Sequence, residues 1–583
     1  MLRLVLLLPI LTLFAACATG PNYVMPDEAL RRAQADARIR REARAYSQFA
    51  VARYASLTDD PKVAADAYAK VVRISPEDST VAERAVFSAL LVGEVDRAAR
   101  IAQRMPDSTR AQTELPRLTL AIHALAKGRN AQALTYLELP WTSTFHAALA
   151  RSIAAWVALE DHPEAAIRLQ NQAGDGDAVL SGVSQNLAAL MTLNTGDNAA
   201  AQRAFENLWN ARARLAIGVE AHARLMARSG DKRAAMSRIR NFRETVGRNP
   251  ALTALVEEIA AGRVAAPKTL TPQQGTALAI YAATAALAGQ YERESDLPGV
   301  YFALALHLDP DLDAARTLWA DTLDQSGRRE EAMDLLRDVP ASSIYHTSAQ
   351  GQLAWALRRE GRNDEALVLA QQTLEQTSDR NIRIQLADLM QSLGRDGEAV
   401  VTFTDIIDAD EAAGTYDWRI YYARGAAQER LGRWPFAESD LKTALGLKPD
   451  SAMIMNYLGF GWIDRGIRLD DGLRLIENAL RLEPRNGAIT DSLGWAHYKL
   501  GHYDRAVFYL ERATELDPQN VGILDHLGDT YWQIGRYTEA GYQWRRALRY
   551  SQDEVEIDLI QKKLDGGFAL LTASARVHTP APR

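Results

Sequence analysis

Residues 487–520 read GAITDSLGWAHYKLGHYDRAVFYLERATELDPQN and contain two helical patterns separated by one glycine. Apolar residues at helical spacing precede Gly501, which ends the first helix because glycine accepts the left-handed conformation of a helix C-cap. Asp504 is the predicted N-cap of the second helix, and Pro518 prevents that helix from continuing. The stretch therefore predicts a helix–turn–helix unit.

The turn of this unit recurs along the chain at nearly constant spacing. A turn glycine, followed five residues later by alanine except at Gly466, returns at intervals of 34, 33, 38, 34, 35 and 34 residues. The positions are Gly327, Gly361, Gly394, Gly432, Gly466, Gly501 and Gly535. Weaker copies of the pattern stand at Asp59, Gly93, Gly128, Asp161, Gly196, Gly230 and Gly289. A period in the thirties indicates a stack of one supersecondary unit, so we predict an all-α fold, an α-solenoid of about 14 helix–turn–helix repeats forming a superhelix.

The composition of the chain is that of a folded protein with no nucleic-acid partner. Hydrophobic residues make up 47% of the 583 residues and charged residues 24%, which is ordinary for a folded chain. The net charge is −7 with both signs interspersed, whereas a nucleic-acid-binding domain would carry a basic stripe. We therefore expect proteins or peptides as partners.

The amino terminus has the pattern of a targeting segment. Arg3 precedes an apolar stretch that is too short to span a membrane, which predicts a signal peptide over residues 1–16. The only cysteine, Cys17, follows Ala16, and residues 17–30 are rich in turn formers and read as a tether. Simple secretion, with cleavage after Ala18, is the alternative.

The sequence Leu13-Phe-Ala-Ala-Cys17 resembles a bacterial lipobox. The resemblance implies that Cys17 becomes the lipid-modified first residue of the mature protein. It also implies that Ala18, in place of an aspartate, directs the protein to the outer membrane. The expected location is the bacterial cell envelope, with a lipid anchor as the only membrane contact and the protein facing the periplasm.

Breaks in the period predict the organisation of the remaining chain. Residues 31–240 are predicted to form an N-terminal solenoid of degenerate repeats. The Pro-rich stretch 265–272 falls inside a wider interval between turns, so residues 241–290 are predicted to be an irregular joint. A more regular solenoid follows over 291–552. Residues 553–565 read as a capping helix and 566–583 as a tail.

The regular repeats resemble the tetratricopeptide repeat. Small residues recur where two helices would cross, as glycine in the first helix and alanine in the second, and a proline closes the unit. The matching positions are Gly425, Gly459, Gly494 and Gly528; Ala444, Ala479, Ala513 and Ala547; and Pro449, Pro484 and Pro518. Helix axes that approach closely cannot carry large side chains at the crossing. The resemblance covers roughly residues 300–550 strongly and 50–240 more weakly.

In tetratricopeptide proteins the first helices line the binding groove, and the resemblance assigns that groove residue by residue. The positions are Arg419, Tyr422, Arg430, Asn456, Phe460, Asp491, Trp495, Tyr498, Lys499, Asp525, Asp529 and Trp532. Aromatic side chains beside amides and carboxylates suit an extended peptide. Packing between repeats is the alternative interpretation of these aromatic residues, above all for Phe460 and Trp532.

Catalytic and metal motifs are not found. The ten histidines are scattered, none in a His-x-x-x-His pair, so we predict no metal site, no cofactor and no enzymatic activity. Gly459-Phe-Gly461 resembles the start of a dinucleotide fingerprint but lies inside a predicted helix, where close packing explains the glycines.

A lipobox followed by a repeat array resembles a family of bacterial tetratricopeptide lipoproteins. Some members are adaptors that present cell-wall hydrolases to a carboxyl-terminal processing protease, and the resemblance implies such a scaffold here. An assembly factor for an outer-membrane, pilus or secretion complex is the second hypothesis. A hydrolase with an unrecognised active site is the third.

Overall fold

The computed structural model describes residues 27–58, 60–247, 249–288 and 297–566, and all regular secondary structure within them is helical. The prediction of an all-α repeat fold is confirmed. The helices form two compact units, one ending at Gly361 and the other beginning at Arg362. The predicted signal peptide, Cys17 and the repeat positions Asp59 and Gly289 lie outside the described residues, as do residues 567–583 of the predicted tail.

The first unit is built of helices joined mostly by short turns. They are α1 (Asp27–Leu57), α2 (Pro61–Ile74), α3 (Ser79–Leu91), α4 (Val95–Gln103), α5 (Asp107–Gln112), α6 (Glu114–Ala126), α7 (Asn130–Thr135), α8 (Thr144–Ala158), α9 (Pro163–Asn171), α10 (Ala178–Asn194), α11 (Asn198–Asn210), α12 (Ala216–Arg228), α13 (Lys232–Thr245), α14 (Pro250–Ala260), α15 (Pro272–Ala288), α16 (Leu297–Leu308), α17 (Asp313–Gln325), α18 (Arg329–Arg337) and α19 (His346–Arg359).

The second unit continues with more regular pairs and one final helix. Its helices are α20 (Asn363–Gln376), α21 (Arg380–Ser392), α22 (Asp396–Ala412), α23 (Trp418–Arg430), α24 (Trp434–Leu447), α25 (Ala452–Asp464), α26 (Leu469–Leu482), α27 (Gly487–Lys499), α28 (Tyr503–Leu516), α29 (Val521–Gln533), α30 (Tyr537–Tyr550) and α31 (Glu554–Gly566). The last of these occupies the position of the predicted capping helix.

The periodic glycines make the turns between paired helices. Gly501 has φ +76°, its N–H bonds to the Tyr498 carbonyl at 3.0 Å, and the His502 N–H bonds to the His497 carbonyl at 2.8 Å. This is a Schellman motif, which requires a left-handed residue. The seven strongest repeat glycines all have φ between +68° and +85°. Glycine therefore recurs at this spacing because each turn needs a residue in the left-handed conformation.

The predicted N-cap of α28 is wrong. The helix begins at Tyr503 with His502 as its N-cap, and no side chain caps it. Asp504 instead lies within the first turn of the helix. A carboxylate there still interacts favourably with the positive end of the helix dipole, which explains why the residue type suggested a cap.

Small residues at the helix crossings permit close approach. A Cβ added to Gly494 would lie 2.6 Å from Cγ of Leu510, and one added to Gly459 would lie 2.9 Å from the Gly472 carbonyl oxygen. The second-helix alanines at the same crossings, such as Ala513, are completely buried. The physical reason given for the repeat pattern is thus visible in the packing.

The first unit departs from a simple row of pairs because α15 and α16 return along it. Helix α15 contacts α8 and α10, and α16 contacts α3 and α6, all of which are first helices of their pairs. The His146 Nε2 and Tyr301 Oη atoms are 2.8 Å apart, and a Cβ on Gly275 would collide with the Trp156 ring. Part of the face formed by these first helices is therefore covered by the protein's own chain.

Helix α16 is apolar on all sides. Its buried residues run continuously from Pro298 to Ala305, with Leu308 after them. A helix without a polar face is stable only when neighbours surround it. The apolar composition of residues 297–308 was the sequence signal from which their central position in the first unit could have been predicted.

The structure differs from the predicted joint at residues 241–290. Most of this segment is helical, comprising the end of α13, all of α14 and all of α15, and only the stretch around Pro267 is irregular. The division between compact units falls instead after Gly361, at an ordinary repeat turn. The prolines predicted a loop, which the structure has around Pro267. Proline content gives no information on which helices pack together.

Across the described residues, none of the helices combines the length and the apolar composition needed to cross a bilayer.

Candidate functional site

The predicted groove residues lie on first helices of consecutive repeats in the second unit. By helix, they are Arg419, Tyr422 and Arg430 on α23; Asn456 and Phe460 on α25; Asp491, Trp495, Tyr498 and Lys499 on α27; and Asp525, Asp529 and Trp532 on α29. Helix α25 contacts α27, and α27 contacts α29. The last three of these helices therefore present their residues side by side.

A stack of rings stands at the centre of this surface. The Trp495 indole lies parallel to the Tyr498 ring, with centroids 4.6 Å apart and planes 7° apart. On the other side of Trp495, the His526 imidazole stacks at 4.1 Å and 17°. Phe460 stands 6.4 Å from His526. We call Phe460, Trp495, Tyr498 and His526 the aromatic face.

His526 is charged more readily than a free histidine. Its Nδ1 lies 3.0 Å from both carboxylate oxygens of Asp491, which is itself buried. Burial alone would lower the pKa of His526, but the Asp491 carboxylate, with Asp525 and Asp529 nearby, outweighs burial and raises that pKa. A cationic imidazole against the Trp495 face adds a cation–π attraction to the stack.

Sequence reasoning missed His526. The repeat register assigns Asp525 to the groove column, and His526 follows it one position further around the helix. Nothing in the spacing of a single histidine reveals that it will reach Asp491 of the preceding repeat. Its role follows only from the packing of α29 against α27.

The two carboxylates of α29 are engaged by the final helix. Lys563 of α31 is buried, and its Nζ lies 2.6 and 2.7 Å from the Asp525 oxygens and 2.8 Å from both Asp529 oxygens. The Trp544 Nε1–H also donates to Asp529 at 3.2 Å. The sequence predicted that both carboxylates bind a peptide, but Lys563 of the same chain neutralises them.

Burial and charge oppose each other at this cluster. Burial and the neighbouring Asp525 raise the pKa of Asp529 to about 6 although Lys563 acts in the opposite direction. Burial would lower the pKa of Lys563, but the two carboxylates raise it. The lysine therefore remains charged, and its loss would leave a buried carboxylate pair without a counter-ion.

Two of the predicted tryptophans are largely packing residues. Trp495 is 8% exposed and belongs to a core cluster with Ile489 and Leu493. Trp532 is half-buried against Tyr537 and Trp544, with ring centroids 4.5 and 5.6 Å away. Trp532 therefore packs against the second helix of its own repeat, and Trp495 packs in its core cluster. A binding role for either tryptophan stays a prediction.

The basic residues of α23 are paired within the chain. Arg419 bonds to Asp417 at 2.9 Å, and Arg430 bonds to Asp396 at 2.6 Å. Tyr422 makes an edge contact with Tyr457 at 5.5 Å. Arg419 and Arg430 thus remain exposed, but each is held by a carboxylate of the same chain.

The accessible edge of the site is mixed in character. Phe460 and Tyr498 are half-buried, and the His526 side chain is 21% exposed. Lys499 donates to the Asp464 carbonyl at 2.9 Å, and Trp495 Nε1 donates to the Asp464 carboxylate at 3.4 Å. Half-buried rings bordered by an acid, a base and an imidazole can hold a peptide through both apolar contact and hydrogen bonds.

Comparison with known proteins agrees with this architecture. Residues 491–520 match the family model described as tetratricopeptide repeat. The chain is 35% identical over 94 residues to TPR repeat-containing protein PA4667 of Pseudomonas aeruginosa. That match spans 16% of each protein, so it concerns a small part of both.

Solved repeat proteins resemble shorter portions of the chain. A tetratricopeptide repeat protein from Parabacteroides merdae covers 43% of this chain and 97% of its own, with 16% identity and a TM-score of 0.38. The Thermus thermophilus protein TTC0263, a thermophilic TPR protein, covers 34% and 99%, with 21% identity and a TM-score of 0.28. MamA from Desulfovibrio magneticus covers 30% and 99%, with 18% identity and a TM-score of 0.26.

Tetratricopeptide repeats are generally non-catalytic modules that bind other proteins. The periodic glycine turns, the small residues at the helix crossings and the family match at 491–520 coincide in the second unit. The second unit therefore contains a tetratricopeptide repeat at residues 491–520, within an all-α repeat fold.

Proposed function

We propose that this protein is a non-enzymatic scaffold that binds an extended segment of another protein on the aromatic face. The observation that carries the proposal is the stack of Tyr498, Trp495 and His526 with its half-buried edge beside Phe460. Stacked rings held rigidly by the core offer contact area at little conformational cost, which is how interface hot spots gain affinity.

The scaffold is proposed to act in the bacterial envelope, anchored by lipid at Cys17 to the outer membrane and facing the periplasm. The lipobox resemblance of Leu13–Cys17 supports this location. Replacing Cys17 with serine should release the mature protein from the membrane fraction and abolish labelling by a fatty-acid analogue. Labelling that persists in the Cys17→Ser variant, or a soluble wild-type protein, would refute the anchor.

Within that role, we propose that the protein delivers substrates to a carboxyl-terminal processing protease during cell-wall remodelling. An adaptor that holds protease and substrate together raises the local substrate concentration without performing chemistry. The resemblance to adaptor lipoproteins supports this step.

The adaptor role is tested by deleting the gene and measuring the steady-state levels of cell-wall hydrolases. At least one hydrolase should accumulate, and restoring the wild-type gene should reverse the change. Unchanged levels of every hydrolase would end the adaptor proposal. Crosslinks to secretin or outer-membrane assembly components would favour the assembly factor instead.

A further inference from the structure

Three side chains from separate helices meet in the first unit. Asp96 lies in the first turn of α4, His123 on α6 and His307 in the last turn of α16. One ligand atom from each of the three lies within 4.8 Å of the other two. His123 Nδ1 and Asp96 Oδ1 are 3.3 Å apart, a separation that two ligands of one tetrahedral metal ion also have.

Each of the two imidazoles has a buried nitrogen that forms no hydrogen bond to a described residue, although His123 Nδ1 lies near Asp96 Oδ1. The rings stack with centroids 5.7 Å apart and planes 13° apart. Among the described residues, no hydrogen-bond partner is found for His123 Nδ1 or His307 Nε2, although both atoms are shielded from solvent. A buried polar atom that forms no hydrogen bond has lost its hydration without compensation, which destabilises the folded protein. A bound ion would satisfy both nitrogens at once.

A cavity of about 560 Å³ opens beside this group. Asp96 and His307 both line it, together with Arg73, Arg100 and Arg104. The space is sufficient for an ion with bound water. The arginines oppose a bare cation and favour an anion as its remaining ligand. Three protein ligands next to an open cavity is the arrangement of a metal site with one exchangeable position.

We propose that Asp96, His123 and His307 bind a divalent transition metal ion of the zinc class. Two imidazoles and one carboxylate suit Zn²⁺, Co²⁺ or Ni²⁺ better than Mg²⁺ or Ca²⁺, which prefer oxygen ligands. The ion joins α16 to α4 and α6, and thereby fastens the returning helix to the repeats that it covers. The sequence predicted no metal site because the three ligands share no motif and are brought together by that return alone.

Lys127 competes with the ion for Asp96. Its Nζ lies 3.8 Å from Asp96 Oδ1, so a cation already stands near the carboxylate. Removing that charge without disturbing the imidazoles should strengthen metal binding. A Lys127→Gln variant therefore separates the proposed site from nonspecific binding at surface acids, which would be unchanged.

The test is titration of the purified full chain with Zn²⁺ by calorimetry, together with thermal unfolding in Zn²⁺ and in Mg²⁺. We expect one Zn²⁺ per chain and a Tm raised by Zn²⁺ only. Asp96→Asn should weaken binding at least tenfold. The Asp96 side chain is largely exposed, so this change leaves the core intact. Lys127→Gln should tighten it. His162→Ala, an exposed histidine of the same unit, should bind as the wild type does.

Co²⁺ supplies a spectroscopic check that does not depend on stability. Its visible absorption should show nitrogen and oxygen ligation in the wild type and change in His123→Ala and in His307→Ala. Absence of stoichiometric Zn²⁺ binding would overturn the proposal. Equal binding by wild type, Asp96→Asn and His307→Ala would also overturn it, because the ion would then sit elsewhere.

Discussion

At the scale of single residues, the site is built by burying most of each ring and leaving one edge accessible. Trp495 shows this most clearly, since it is 8% exposed yet stacks on two residues that reach the surface. The resemblance assigned the groove to positions on first helices, but it could not distinguish packing from binding. That distinction depends on neighbours from other repeats.

Trp495→Ala should destabilise the second unit. Removing a buried tryptophan leaves a cavity and unstacks Tyr498 and His526, so we expect a loss of about 3–5 kcal/mol in the free energy of unfolding. Urea unfolding followed by circular dichroism measures it. Tyr542→Ala, at an exposed tyrosine of α30, should change the value by less than about 0.5 kcal/mol. Equal effects of the two changes would mean that Trp495 is not a core residue.

The pairing of His526 with Asp491 predicts a pH dependence. Because the folded pKa of His526 lies above its unfolded value of 6.5, the stabilisation is fully present below pH 6.5 and is lost as pH rises through the folded pKa. Asp491, Asp525, Asp529 and Lys563 are the charged groups around it. The change should be visible in urea midpoints and in the NMR titration of the imidazole.

Replacing His526 with glutamine should remove this component of the pH dependence while leaving that of the other groups. The titration itself can contradict the assignment. A His526 imidazole that titrates below pH 6.5 in the folded protein would show that burial, and not Asp491, dominates its pKa.

At the scale of elements, each regular repeat of the second unit is a helix pair held by a glycine turn and a close crossing. The sequence carried this information directly, because a left-handed turn and a crowded crossing both restrict residue type. It did not carry the role of α31. That helix lies beyond the last period, and no pattern links Lys563 to Asp525 and Asp529 of the preceding repeat.

Lys563→Met should destabilise the end of the second unit by about 3–5 kcal/mol, because it leaves two carboxylates near one another without a counter-ion. Adding Asp525→Asn and Asp529→Asn should recover part of the loss. The neighbouring Lys562 is 60% exposed, so Lys562→Met should change stability by less than about 0.5 kcal/mol. Unfolding in urea compares the variants. Indistinguishable midpoints for the two lysine changes would show that Lys563 does not stabilise Asp525 and Asp529.

Gly494→Ala tests the helix crossing. The added methyl group would lie 2.6 Å from Leu510 Cγ and force α27 and α28 apart, costing about 1–3 kcal/mol. Gly446→Ala is the matched control, since nothing lies within 4 Å of a Cβ there and alanine favours a helix. It should leave stability unchanged or raise it. A higher Tm for Gly494→Ala than for Gly446→Ala would contradict the close crossing.

At the scale of the whole molecule, the period predicted the helix pairs far better than their grouping. Gly93, Gly128, Gly196 and Gly230 mark real turns with positive φ although their repeats are degenerate. Neither the return of α15 and α16 nor the unit boundary at Gly361 follows from the period, since both depend on contacts between distant segments. In the first unit, α15 and α16 cover the first helices of several pairs, which would be accessible in a simple solenoid.

The most direct test of the proposed scaffold places a photo-crosslinking phenylalanine analogue at Phe460 in living cells. Phe508, which is 60% exposed on the second helix α28, is the matched control position. We predict a discrete protein adduct from Phe460, containing the processing protease or a cell-wall hydrolase, and none from Phe508. The same adducts from both positions, or none from Phe460, would contradict binding at the aromatic face.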